Sequence, residues 1–133
     1  MKVFIDTNIL VSAMLFKNSR VYVAYEKLVK ECECYISNTT ISELRKVFKN
    51  KFKDKMQMLE LFIEMTLKKV NLINDVNINF PLENTIRDKK DIYIYRNAKY
   101  LNCDAIISGD KDFLENTQLD IRVMSINEYL KRL

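Results

Sequence analysis

The stretch Ala105-Ile106-Ile107-Ser108-Gly109-Asp110 decides the fold class, because three consecutive apolar residues run straight into a polar turn. Val3-Phe4-Ile5, followed directly by Asp6-Thr7-Asn8, repeats this pattern near the N-terminus. Short, continuously apolar runs bounded by turn residues are typical of strands buried on both faces of a sheet. Each run therefore predicts a buried strand that ends at an acidic turn.

Outward from these two runs, short apolar segments alternate with helical patterns. Further strands are predicted at 34–37, 70–73 and 121–124, and residues 74–85, which contain Pro81, are predicted to form a loop. Helices are predicted at 9–16, 19–31, 40–50, 53–69, 91–101, 111–116 and 125–133, with capping boxes at Thr40/Glu43 and Ser125/Glu128. This alternation indicates an α/β fold, with helices on both faces of a mostly parallel sheet. The length of 133 residues suits one domain, 1–133.

The composition excludes several classes of catalytic site. The chain has no histidine, which removes imidazole catalysis and histidine-ligated metal sites. Its one glycine, Gly109, cannot supply a phosphate-binding loop or a dinucleotide-binding turn. The three cysteines, an odd number, indicate a reducing compartment, and no apolar run approaches the ~20 residues of a membrane span. We therefore expect a cytoplasmic protein without membrane contact.

Positive charge is concentrated between Arg45 and Lys55, although the net charge is only +4. Phe48 and Phe52 are interleaved with these cations, as on a surface that follows nucleic-acid phosphates and stacks bases. The alternative, which this run alone favours, is a solvated helix end whose phenylalanines point into the core. The basic residues of the run are Arg45, Lys46, Lys49, Lys51, Lys53 and Lys55.

Four acidic residues are predicted to meet at one edge of the sheet. The functional crevice of a parallel sheet lies beyond the carboxyl ends of its strands, and Asp6 and Asp110 follow two predicted strands. Glu43 lies one helical turn past another strand, and Asp91 begins the helix before Ala105. Taken singly, each acid is better explained as a turn residue, helix cap or first-turn acid. Their convergence favours a site for Mg²⁺ or Mn²⁺, which prefer oxygen ligands and relieve repulsion between carboxylates.

An acidic pocket, a divalent cation and a basic rim together describe a metal-dependent nuclease. The cation lowers the pKa of a bound water and neutralises charge on a phosphodiester. On this hypothesis, the residues expected to steer nucleic-acid phosphates are Arg45, Lys46, Lys49, Lys53, Arg87, Lys90 and Arg96.

Three blocks of sequence, in a fixed order, span most of the chain. They are Phe4-Ile5-Asp6-Thr7-Asn8-Ile9-Leu10, Thr40-Ile41-Ser42-Glu43-Leu44, and a segment from Arg87 to Phe113 that contains Ser108-Gly109-Asp110-Lys111-Asp112. Together they resemble the PIN-domain family, most closely the toxin-like branch of type II toxin–antitoxin systems. The resemblance implies a three-layer α/β/α sandwich and cleavage of single-stranded RNA by water activated at Mg²⁺ or Mn²⁺. It also implies a cognate antitoxin as partner and a homodimer.

Matched position by position, the resemblance implies roles for nine residues. Asp6, Glu43, Asp91 and Asp110 match the family's catalytic and metal-binding acids, with Asp112 as an auxiliary metal ligand. The polar residues implied to hold these acids or their waters in place are Thr7, Asn8 and Ser108. The ninth residue is Asp88, which is an alternative to Asp91. Relatives often have proline where this chain has Lys89, and a second aspartate where it has Ile92. Either Asp88 or Asp91 could then face the metal, and the spacing to the late strand favours Asp91.

Two hypotheses from other functional classes remain for comparison. A non-catalytic domain on the same scaffold would bind RNA or protein, and its RNA binding would neither need metal nor lead to cleavage. A phosphotransfer domain is discounted, because Asn8 stands where a dehalogenase-like phosphatase needs a second aspartate, and no acid follows a middle strand as a receiver domain requires.

Overall fold

Five strands form the central sheet of the computed structural model, which describes residues 1–132. They are β1 (Lys2–Ile5), β2 (Glu33–Ser37), β3 (Asn71–Ile73), β4 (Ala105–Ile107) and β5 (Arg122–Met124). All neighbouring pairs are parallel, in the order β3-β2-β1-β4-β5. The chain builds outward from β1 on one side and then on the other, which places a topological switch point between β1 and β4. The predicted parallel α/β sheet is confirmed.

Seven α-helices flank these strands within residues 1–132. They are α1 (Thr7–Leu15), α2 (Arg20–Glu31), α3 (Asn38–Lys51), α4 (Met56–Leu67), α5 (Lys89–Tyr100), α6 (Lys111–Leu114) and α7 (Ile126–Leu130). Two 3₁₀ turns, Lys53–Lys55 and Pro81–Thr85, precede α4 and α5. None of the helices in this part of the chain has the length and apolar character needed to cross a membrane.

Helices cover both faces of the sheet, because alternate residues of each strand point into opposite cores. On β1, Val3 and Ile5 pack into a core shared with α1 to α4 and α7, whereas Phe4 packs against α5 and α6. All three side chains are fully buried. The predicted three-layer α/β/α arrangement is therefore confirmed.

The register of the sheet brings the carboxyl ends of β1 and β4 together. Ile5 lies opposite Ile107, and the backbone N–H of Asp6 donates to the Ile107 carbonyl over 2.9 Å. The residues that follow the two strands are thereby fixed side by side, which places Asp6 next to Ser108.

The third helix begins earlier than the sequence predicts, because Ser37 rather than Thr40 is its N-cap. The Ser37 hydroxyl accepts from the Thr40 N–H over 3.4 Å, and the Thr40 hydroxyl accepts from the Ser37 N–H over 3.1 Å. The predicted Thr40/Glu43 box is therefore wrong, and the Glu43 carboxylate is not used to cap the helix. The predicted Ser125/Glu128 box is confirmed.

Other boundaries also differ from the prediction. α5 begins at Lys89 with Asp88 as its N-cap, so Asp91 lies in the first turn and does not open the helix. The predicted helix 53–69 is a 3₁₀ turn followed by α4, and the predicted loop 74–85 contains the second 3₁₀ turn. The predicted final helix, 125–133, corresponds to α7, and its last position lies outside the described residues.

Candidate active site

Ser108 joins the turns that follow β1 and β4. Its hydroxyl donates to the Asp6 carboxylate over 2.7 Å and accepts from the backbone N–H of Asp110 over 3.0 Å. Ser108 is fully buried, and Asp6 is 7% exposed. Asp6 stands at the N-cap position of α1 but makes no capping hydrogen bond there. Its carboxylate is held toward β4 instead.

Asp88, Asp91 and Asp110 form a carboxylate trio where the start of α5 meets the turn after β4. One oxygen from each carboxylate lies within 4.8 Å of the other two. Asp91 is buried, Asp110 is half-buried and Asp88 is exposed. A cleft of about 470 Å³, also bordered by Arg87 and Asp112, opens over the trio. The structure thus brings Asp91 and Asp110 together and places Asp88, the alternative to Asp91, in the same group.

The two most buried acids carry raised pKa values. Burial, followed by the charges of Asp6, Asp110 and Asp88, raises the pKa of Asp91 to about 8. Burial also raises the pKa of Asp6 to about 6, although the hydrogen bond from Ser108 acts in the opposite direction. Both ionised forms are therefore disfavoured unless a positive charge is close by.

Glu43 extends from α3 to the same edge and pairs with Lys90. Lys90 Nζ lies 3.6 Å from Glu43 Oε2, with the Glu43 side chain 18% exposed. Burial raises the pKa of Glu43, and the ammonium group of Lys90 lowers it. Glu43 also contributes to the raised pKa of Asp6. Glu43 and Asp6 thus lie outside the trio but within the same electrostatic field.

The remaining predicted site residues lie around the trio. The Asn8 side-chain oxygen accepts the backbone N–H of Gly109 over 3.3 Å, which links the two acidic turns. Thr7 is buried as the first residue of α1. Asp112 is exposed at the border of the cleft, and its backbone N–H donates to the Asp110 carboxylate over 3.0 Å.

Only some of the predicted RNA-contacting residues lie near the acids of the cleft. Arg87 lies exposed at the border of the cleft, and Lys90 faces Glu43. Arg96 donates two hydrogen bonds to the Glu83 carboxylate, over 2.8 and 2.6 Å, and both side chains are about five-sixths buried. The guanidinium of Arg96 is therefore engaged in hydrogen bonds within the protein.

The basic run at the end of α3 is a solvated helix end. Phe48 is fully buried and Phe52 packs against the core, so neither presents its ring as a stacking surface. Arg45 donates to Glu60 through two hydrogen bonds of 3.0 and 2.8 Å. Besides Arg45, the exposed cations of the run that were predicted to contact RNA are Lys46, Lys49 and Lys53.

Two side-chain contacts that the sequence did not reveal hold residues 74–86 against α5. Besides the contact between Arg96 and Glu83, the buried Asn97 side chain donates to the Asp75 carboxylate over 2.8 Å. Asp75 in turn contributes to raising the pKa of Glu43. This segment leads into Asp88, so its anchoring fixes one wall of the cleft. The partners lie 13 and 22 residues apart in sequence, where no local pattern indicates pairing.

The chemistry of the trio fits a hard divalent cation. Its three ligands are carboxylate oxygens, which Mg²⁺ and Mn²⁺ prefer over nitrogen or sulfur. Burial first and the neighbouring carboxylates second raise the pKa of Asp91, and a cation would relieve the repulsion between these carboxylates.

Solved structures of similar fold come from bacterial toxin–antitoxin proteins. VapBC2 from Rickettsia felis, bound to a promoter DNA fragment, aligns with a TM-score of 0.71 and 18% identity over 94% of this chain and 98% of that one. VapBC-1 from nontypeable Haemophilus influenzae gives 0.65 and 20% identity over 96% and 99% of the two chains. VapC20 from Mycobacterium tuberculosis, described as a toxin that cleaves the sarcin–ricin loop, gives 0.60 and 13% over 90% and 98%. At these identities the likeness shows the fold.

The sequence itself matches a family model. A comparison with curated proteins finds no match. The model described as PIN domain, however, matches residues 2–112, a span that includes the ends of β1 to β4 and every acid of the edge. The chain therefore belongs to the PIN-domain family.

Proposed function

We propose that the protein is an endoribonuclease that uses Mg²⁺ or Mn²⁺ to hydrolyse single-stranded RNA, as a single domain over residues 1–133. The observation that carries the proposal is the trio of Asp88, Asp91 and Asp110 in an open cleft, with Asp6 oriented beside it by Ser108. Membership of the PIN-domain family supports the same assignment. The catalytic acids proposed are Asp6, Glu43, Asp91 and Asp110, with Asp88 and Asp112 as further carboxylates at the cleft.

The residues around the cleft would have separate roles in this reaction. The trio would hold the cation, which supplies a water of lowered pKa and neutralises negative charge on the phosphodiester. The Ser108 hydroxyl fixes the orientation of the Asp6 carboxylate, and Glu43 adds negative charge from the α3 side. Arg87 and Lys90, both exposed beside the cleft, would attract the phosphates of the strand.

Cleavage of a mixed single-stranded RNA tests this proposal. Wild type is expected to cut with Mn²⁺ or Mg²⁺ and to stop when EDTA is added. Asp6→Asn and Asp110→Asn are expected to lose cleavage while keeping a wild-type circular dichroism spectrum. Asp54→Asn is the matched control, because Asp54 is exposed in the 3₁₀ turn before α4, and it should cut normally.

Two outcomes contradict the proposal in different ways. If both site variants still cut RNA, the assignment of the acids is wrong. If wild type binds RNA without metal and never cuts it, the chain is the non-catalytic binding domain instead.

We further propose that this nuclease is the toxin of a type II pair, bound by a cognate antitoxin, able to dimerise and active in the cytoplasm. The similar Rickettsia felis and Haemophilus influenzae structures are of toxin–antitoxin proteins, which supports the proposal. Induced expression of wild type should arrest bacterial growth, whereas Asp110→Asn should not. Co-expression of the protein encoded by the adjacent gene should restore growth. A dimer would scatter light as twice 15.8 kDa.

A further inference from the structure

A second groove, of about 360 Å³, lies across the Ser108-Gly109-Asp110 turn from the acidic cleft. Ser108 and Gly109 line this groove, while Asp110 lines the cleft. The start of α1, which follows β1, and the start of α7, which follows β5, form two of its walls. Groove and cleft therefore open along the same edge of the sheet and share one wall.

The lining of the second groove has the opposite electrostatic character from the cleft. The cleft is lined by five acids and one cation, Arg87. The lining of the groove contains no carboxylate, and its one charged residue is Arg20. Hydroxyl and amide groups come from Ser12, Ser125, Asn8 and Asn127. Apolar surface comes from the partly exposed Val21 and Leu114, since Ile9 and Ile126 are themselves buried. Hydrogen-bonding groups beside apolar surface suit an unstacked nucleobase.

The contacts of the fold do not account for Arg20. It is exposed, and no acid lies within ion-pair distance of it among residues 1–132. It is the first residue of α2, where a positive charge is unfavourable because the N-terminus of a helix dipole is itself positive. Ser19 already caps this helix. A guanidinium that stabilises nothing around it is well suited to a phosphate.

Gly109 stands in the wall between groove and cleft, and its local packing does not require a glycine. An added Cβ would lie 3.7 Å from the Asn8 side chain, which is ordinary contact. Its φ is not positive. The only glycine of the chain is thus exposed at the point where a strand passing from cleft to groove would approach the backbone most closely.

We propose that this groove binds the nucleotide next to the scissile phosphate, with Arg20 on the phosphate of that nucleotide and the Asn8 and Asn127 amides on its base. The inference rests on the proposed ribonuclease function. Five acids around the cleft repel the rest of a polyanionic strand, so the strand needs an acid-free path away from the trio. The groove across Gly109 supplies that path.

Steady-state kinetics at several salt concentrations test the groove with a matched pair of variants. Arg20→Gln should raise KM for single-stranded RNA about tenfold with kcat unchanged, because a charge-assisted contact to the substrate is lost. It should also reduce the slope of log KM against log salt by about 0.7, the value for one phosphate contact on a single strand. The control, Lys68→Gln, also removes an exposed cation, but three residues before β3 at the opposite edge of the sheet, and should behave as wild type.

A second pair of variants tests the path across the turn. Gly109→Ala adds a Cβ at ordinary contact distance, so it should fold normally and raise KM less than a larger side chain does. Gly109→Leu should raise KM by extending a side chain into the path. If KM and salt slope of Arg20→Gln match those of Lys68→Gln, the groove does not bind the strand and the inference is wrong.

The groove and the ribonuclease proposal can fail separately. If wild type cuts no RNA, fluorescence anisotropy with labelled RNA decides: weaker binding by Arg20→Gln than by Lys68→Gln supports the groove and overturns only the nuclease. Equal binding by the two variants overturns the groove. Absence of any RNA binding by wild type overturns both, and would leave the groove to a protein partner.

Discussion

Ser108 touches both halves of the acidic edge through a single oxygen atom. As a donor it holds the Asp6 carboxylate, and as an acceptor it holds the backbone at Asp110. The neighbouring residue Asn8 makes the second link between the same two turns. The geometry of the site at β1 and β4 thus depends on one fully buried hydroxyl more than on any single acid.

Ser108→Ala should therefore weaken both stability and cleavage. The free energy of unfolding should fall by about 1–3 kcal/mol, because a buried carboxylate and a backbone N–H lose their partner. The pKa of Asp6 should rise further, since the hydrogen bond from Ser108 is the larger of the two contacts that lower it. Urea unfolding and a pH profile of cleavage would measure the two effects.

Ser42→Ala is the control for this variant. The Ser42 hydroxyl is exposed and donates only to the Asn38 carbonyl within α3, over 3.2 Å. Its loss should change stability by less than about 0.5 kcal/mol. If Ser108→Ala were as stable and active as Ser42→Ala, Ser108 would not organise the site.

At the level of elements, the start of α3 separates two roles that the sequence alone assigns to one motif. Ser37 and Thr40 cap the helix, and Glu43, one turn further on, pairs with Lys90 at the acidic edge of the sheet. The capping residues and the acid are therefore different side chains, and their substitution should have different consequences.

Ser37→Ala should lower the free energy of unfolding by about 1 kcal/mol, the usual cost of losing an N-cap. Glu43→Ala should cause no such loss, because the side chain is absent from the cap, but it should reduce cleavage. Thermal unfolding and RNA cleavage of both variants distinguish the roles. A stability loss confined to Glu43→Ala would mean that the helix starts at Thr40 after all.

The sequence predicted the strands well, because runs such as Ala105–Ile107 are continuously apolar and end at polar turns. It misplaced the start of α3, because Ser37 suits the end of a strand and the N-cap of a helix equally well. It listed Asp88 only as an alternative, because a helix cap and a cleft acid look alike in sequence. For Phe48 the sequence favoured the core position that the structure shows. The pairing of Arg96 with Glu83, 13 residues away, has no local sequence pattern that would reveal it.

In the whole molecule, four different elements supply the acids of the edge, and their burial makes the fold itself sensitive to pH. The folded pKa values of Asp91, about 8, and Asp6, about 6, both exceed the ordinary value of 3.8. Between about pH 4 and pH 8 the folded chain therefore binds more protons than the unfolded chain. Without metal, the stability that these acids confer at low pH should be lost as pH rises through these values.

Urea unfolding in EDTA from pH 4.5 to 8.5 measures this loss. The chain has no histidine, so no imidazole titration is superimposed on the carboxylate effect. Asp91→Asn should flatten the decline and unfold at higher urea than wild type above pH 7. A wild-type profile no steeper than that of Asp91→Asn would contradict the assigned pKa.

The effect of added metal on the melting temperature is a second test of the trio. At pH 8, Mn²⁺ should raise the melting temperature of wild type, because a ligand that binds only the folded state stabilises it. The rise should be much smaller for Asp91→Asn, which lacks one carboxylate of the trio. Equal rises in the two proteins would place the cation elsewhere.

The hydrogen bond between Ser108 and Asp6 spans 102 residues of chain, which has a consequence for biosynthesis. Ribosomes add ~5–20 residues per second, so roughly 5–20 s separate the synthesis of the two partners. Throughout that interval one side of β1 has no neighbour and the cleft has no second wall. Contacts this distant in sequence also slow folding. The candidate active site of a growing chain is therefore incomplete until β4 and the turn that follows it have emerged.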